Sequence, residues 1–166
     1  MFQINYRIVY NDWDDFPGQN GFFQIQCNDC KYGEIYAKEI ESVMAQDDLY
    51  WWFERLTQVA RHLLTKEYVV LSDVESYNLW IEFRKNKDDL IISLINANKG
   101  NGSQAIEFEL DGIEQGRWGN QHVSFFQFKR EVVEKTTLYL NEIKKDCTDA
   151  VLIEKLESAI AELDAD

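Results

Sequence analysis

The stretch YVVLSDVESYNLWIEFRKNKDDLIISLINA, residues 68 to 97, decides the architecture. It predicts three successive strands, Tyr68 to Ser72, Asn78 to Arg84 and Leu90 to Asn96, separated by short polar segments. In the middle strand Leu79, Ile81 and Phe83 fall on one side and Asn78, Trp80, Glu82 and Arg84 on the other, the alternation of a pleated strand. The third strand is apolar on both faces, which places it in the interior of a sheet. Connections this short favour antiparallel pairing.

Upstream, residues 47 to 65 change period. Leu49, Trp52, Phe53, Leu56, Ala60 and Leu63 form one helical stripe, and Asp47 or Asp48 is placed to cap the first turn. Trp51 is off the stripe, beside Arg55, Gln58 and His62. The first 37 residues read as strands: Phe2 to Tyr10 alternates, Phe22 to Cys27 follows, and a short third strand lies near Ile35. Between the first two, Asn11 to Gly21 holds the only proline and three aspartates, the composition of an exposed loop.

Downstream, residues 96 to 104 read as a glycine-rich hairpin loop leading into a strand in which Ile106, Phe108 and Leu110 alternate with a wet, acidic face. Residues 111 to 122 read as another loop. Ser124 and Gln127 then make a capping box, with Val123 and Phe128 as its staple, and open a helix running through Val132, Tyr139 and Ile143. A last helix spans about Asp149 to Leu163. The expected fold is a single α+β domain over residues 1–166, a mostly antiparallel sheet of about six or seven strands with three helices.

The chain has 30 acidic and 17 basic residues, a net charge of −13. Residues 1 to 54 carry ten acids against three bases and residues 131 to 166 ten against four, while the middle is close to neutral. Such a field repels phosphate, so direct nucleic-acid binding is not expected. It attracts cationic partners. The N-terminus, MFQINYRIVYND, lacks the pattern of a signal peptide, and no apolar run is long enough to span a bilayer, so a cytoplasmic protein without membrane contact is expected.

Individual residues give little support to catalysis. Cys27-Asn-Asp-Cys30 is half a zinc pattern without its second half, and it leaves a strand for a turn where a redox motif would open a helix. The two histidines, His62 and His122, have no recognisable nucleophile partner, and no phosphate loop is present. The best enzymatic alternative is a metal-dependent nuclease using Asp73 and Glu82. Its weakness is Arg84 where that chemistry calls for a lysine, since a guanidinium has no accessible neutral form. A small-molecule-binding or regulatory module is a further alternative. No catalytic residue, cofactor or metal is expected.

What stands out is aromatic residues among carboxylates, the composition of binding hot spots. Exposure and charge nominate Asp12, Trp13, Asp14, Asp15, Asp47, Asp48, Trp51, Asp73, Glu75, Tyr77, Trp80 and Glu82 as partner-binding residues. Within residues 50 to 83, Trp52-Phe53 at a helix start, Leu63-Leu64 at its end, and Asp73-x-Glu75-Ser-Tyr77 running into Trp80-x-Glu82-Phe83 resemble the immunity proteins of bacterial contact-dependent growth inhibition and related polymorphic-toxin systems. The resemblance implies a non-catalytic antidote that stays in the producing cell and binds the C-terminal toxin domain of a cognate effector. Many such toxins are nucleases with basic substrate surfaces, which an acidic inhibitor can cover.

Overall fold

The computed structural model describes residues 1–73, 75–100 and 102–165. In chain order the elements are β1 (Phe2–Ile8), β2 (Asn20–Cys27), β3 (Cys30–Gly33), a 3₁₀ turn (Lys38–Val43), β4 (Asp47–Asp48), α1 (Leu49–Thr65), β5 (Tyr68–Ser72), β6 (Leu79–Asn86), β7 (Asp89–Asn96), β8 (Ile106–Glu107), β9 (Glu114–Gln115), β10 (Gln121–Ser124), α2 (Phe125–Ile143) and α3 (Ala150–Asp164). The α+β class holds, and the strands divide into two antiparallel sheets.

In the smaller sheet β2 is central, with β1 along one edge and β3 and β4 along the other. Gly21 is required where β2 passes β1: a Cβ there would lie 2.1 Å from the Arg7 carbonyl oxygen. The larger sheet runs β10-β7-β6-β5-β8, with β9 also on the outer edge of β7. The β6–β7 hairpin closes at Asn86 and Asp89 with Lys87 at φ 57°.

The helices begin where their caps dictate. The Asp48 carboxylate accepts from the Trp51 amide at 2.8 Å, the Ser124 hydroxyl from Gln127 at 3.3 Å, and Asp149 from Val151 and Leu152. The start of α2 has a second, long-range cap. Asp88, in the β6–β7 turn, accepts from the Phe126 amide at 3.0 Å and the Ser124 hydroxyl at 2.8 Å. α1 packs on β2 and β5, and α2 on β1 and β10. One core therefore joins both sheets through Phe23, Phe53, Leu56, Phe83, Phe128 and Tyr139. Among the described residues, no helix is long and apolar enough to cross a membrane.

Three local expectations are corrected. Residues 106–110 do not form a hairpin strand with a wet face: only Ile106–Glu107 is extended, and it pairs with β5. Residues 111 to 122 are not simply a loop, because β9 and β10 lie along β7. The third strand is Cys30–Gly33, ending before Ile35. All three involve segments of two to four residues, whose extension is imposed by the neighbouring strand and leaves no periodicity to read.

The largest correction concerns the second face of β6. The alternation is as read, but the face opposite Ile81 and Phe83 is not open to water. Trp80 is completely buried with Val70, Ile95 and Ala97 in a second, smaller core, against which Leu110 packs. The Trp80 indole donates to the Ala97 carbonyl at 3.1 Å, satisfying its polar edge as burial requires. Glu82 is also buried, 3.2 Å from the Arg84 guanidinium.

Candidate functional site

The nominated residues fall into three groups. The first forms where the N-terminus of α1 meets the β5–β6 connection. β4 pairs with β2, and the alternation along it sends Asp47 and Asp48 to different surroundings. Asp47 accepts from the Phe23 amide at 3.2 Å. Asp73, just beyond β5, takes the Tyr32 hydroxyl from β3 and the Glu75 amide, the latter at 3.0 Å. Trp52 stacks on Phe23 at 5.0 Å, with Trp51 edge-on to it at 5.1 Å. Trp51 itself is half-buried, while Tyr77 is 88% exposed.

These carboxylates affect one another. Burial raises the Asp47 pKa, opposed by the Phe23 amide and the Trp52 side chain, and Asp73 raises it further. Burial, then Asp47 and Asp73, raise that of Glu75. Tyr32 is held strongly neutral, first by burial and then by its hydrogen bond to Asp73. The nearby base, Lys99, directs its ammonium group to the carbonyls of Asp73 and Ser76, the latter at 2.7 Å, which shapes the loop. Among the described residues, no Lys or Arg side chain forms an ion pair with Asp47, Asp73 or Glu75. The group is a part-buried to exposed cluster of carboxylates bordered by Tyr32 and Trp52.

The second group is the loop before β2. Asp14 is tied down, accepting from Asn20 at 2.8 Å and Asn11 at 3.2 Å, so its role is to hold the loop. Asp12 and Asp15 are exposed, and Trp13 is 75% exposed. Gln19 links this loop to the α1 cap, donating to Asp48 at 3.2 Å. Asp15, Phe16, Asp48, Tyr50 and Asp149 line an open cleft of ≈ 660 Å³. Tyr50 is buried there and donates to the Leu152 carbonyl at 3.1 Å.

The third group, Trp80 and Glu82, is not available as an exposed binding surface. This geometry also separates the proposed nuclease carboxylates: Asp73 belongs with Tyr32 and Asp47, and Glu82 with Arg84 and Tyr68 on the other face of the sheet. Among the described residues, no group of three His, Cys, Asp or Glu side chains is placed to hold a metal ion. His122 lies 3.1 Å from Asp89 at the surface, and His62 packs edge-on against Phe108.

Two participants were missed by sequence reasoning. Tyr32 is not among the nominated residues although its hydroxyl donates to Asp73, and Trp52 belongs to the core stripe of the helix although it borders Asp47. The weak signal for Tyr32 is an aromatic on a short strand after a tight turn. Comparison with protein-family models, curated proteins and solved structures finds no match to this chain.

Proposed function

We propose that this protein is an immunity-type antidote, which binds and neutralises a cognate basic toxin domain, such as a nuclease, by covering its active site or substrate surface without performing chemistry itself. The observation that carries the reading is the convergence of Asp47, Asp73 and Glu75, bordered by Tyr32 and Trp52, with no ion-paired base among the described residues. Burial, and after it the neighbouring carboxylates, raise the pKa values of Asp47 and Glu75, a cost to folding that a cationic partner offsets on binding. Trp13 with Asp12 and Asp15 supplies a second patch of the same chemistry.

In this reading the acids steer a positively charged surface into place, and the aromatic residues lock it. The protein acts in the cytosol of the cell that makes the toxin. The test is coexpression with the toxin domain encoded beside its gene. Copurification with about nanomolar affinity and rescue of growth are the expected results. Two chains that remain separate at low salt, or a toxin that stays active in the complex, would overturn the proposal.

A further inference from the structure

Cys27 and Cys30 remain without a role in the proposed antidote. They are the closing pair of the β2–β3 hairpin, directly opposed across a two-residue turn in which Asn28 has φ 53°. Opposed residues point to the same face. Cys27 is completely buried against the main core, and Cys30 is half-buried beside it. Opposed Cα atoms in an antiparallel ladder are about 4.5–5.5 Å apart, within the ~4.4–6.8 Å spanned by disulfides. As the hydrogen-bonded closing pair they lie at the long end of that range, so their Cβ atoms, at about 5.5 Å, must approach by roughly 1–2 Å. β3 can give this, since its other edge pairs with no described strand.

We infer that Cys27 and Cys30 form a reversible intrachain disulfide when the folded protein meets a low-molecular-weight disulfide such as oxidised glutathione. Cys30 is the entry point because it is the accessible thiol. Its thiolate attacks one sulfur of glutathione disulfide, forming a mixed disulfide and releasing one glutathione thiolate. Cys27, after losing its proton to water, attacks the Cys30 sulfur and expels the second glutathione. The protein loses two protons and two electrons, and one glutathione disulfide becomes two thiols. Burial pushes the Cys27 thiol up to about 12, so the second step is the slow one and accelerates with pH. In a reducing cytosol the pair rests as the dithiol. The cross-link would fix the edge strand that carries Tyr32 and the Lys31 carbonyl, which accepts from the Trp118 indole at 3.1 Å. This inference does not rest on the antidote reading.

The test incubates the dilute native full chain with oxidised glutathione, traps free thiols and maps the peptide between Arg7 and Lys31 by mass. A product lighter by two hydrogens, with Cys147 free, and slower amide exchange at residues 30 to 33 are expected. Cys27→Ala should retain one glutathione on Cys30, and Cys30→Ala should leave Cys27 unmodified. Persistent glutathione on wild-type Cys30, pairing only in denaturant, or no reaction would overturn the inference, whether or not the variants fold.

Discussion

Asp73-Val-Glu75-Ser-Tyr77 and Trp80-Ile-Glu82 lie within ten residues of one another and have the same composition, aromatic rings among carboxylates. Their fates are opposite. Trp80 and Glu82 sit on the covered face of the larger sheet, the tryptophan satisfied by a carbonyl and the glutamate by Arg84. Asp73 and Glu75 sit in a connection, close to a third carboxylate, with Tyr77 in solvent. The same composition can thus be buried and ion-paired or left at the surface without a paired base, and composition alone does not tell the two apart. Glu82 has its cation. Asp47, Asp73 and Glu75 form no ion pair with a Lys or Arg side chain among the described residues.

The comparison breaks most directly at the two exposed-looking aromatics. Trp80→Ala should lower stability by about 3–5 kcal/mol in urea denaturation, because it empties the second core and strands the Ala97 carbonyl. Tyr77→Ala should change stability by less than about 0.5 kcal/mol and act only on partner binding. Similar losses from both would dissolve the distinction.

Next in size is the carboxylate group. Replacing Asp47, Asp73 and Glu75 together by their amides should slow association with a basic toxin domain about tenfold or more at low salt, with much less effect on dissociation. Stopped-flow measurements across a salt series read both rates. The equivalent change at Asp12 and Asp15, which are solvated, should have the smaller effect. Glu82→Ala should cost about 1–3 kcal/mol of stability, because it leaves Arg84 without its carboxylate and opens a gap beside Tyr68.

The smallest effect concerns pH. Asp47 and Glu75 have folded-state pKa values above those of the unfolded chain, so the folded state binds more protons between the two values. Their contribution therefore makes the protein more stable as pH falls from neutral towards the ordinary carboxylate range of about 4. Asp47→Asn with Glu75→Gln should flatten that part of the stability profile, measured by chemical denaturation at a series of pH values. A profile unchanged by the double variant would mean that the two groups titrate as independent surface acids.

What the sequence reveals follows from how local the cause is. Ser124 and Asp48 each cap a helix through the amide three residues on, so both starts are legible. The alternation of β6 is likewise local and was read correctly. Whether its second face meets water depends on residues 106–115, remote in the chain, so the parity of Trp80 could be known and its burial could not. The candidate site has the same limitation. Its acids were all visible, but the juxtaposition of Asp47 with Asp73, and the part played by Tyr32, arise from contacts between the two sheets.

The double cap on α2 has a consequence for how the molecule opens. Asp88 belongs to the β6–β7 turn, yet it holds the Ser124 hydroxyl and the Phe126 amide, while its own carbonyl accepts from Phe125 at 2.7 Å. Fraying the first turn of this helix therefore requires parting it from a hairpin in the middle of the larger sheet. A helix end, normally among the earliest segments to exchange its amides, is coupled here to one of the last. The β6–β7 hairpin and the entry to α2 should behave as one cooperative unit, and Asp88→Ala should loosen that coupling while the backbone bond from Phe125 remains.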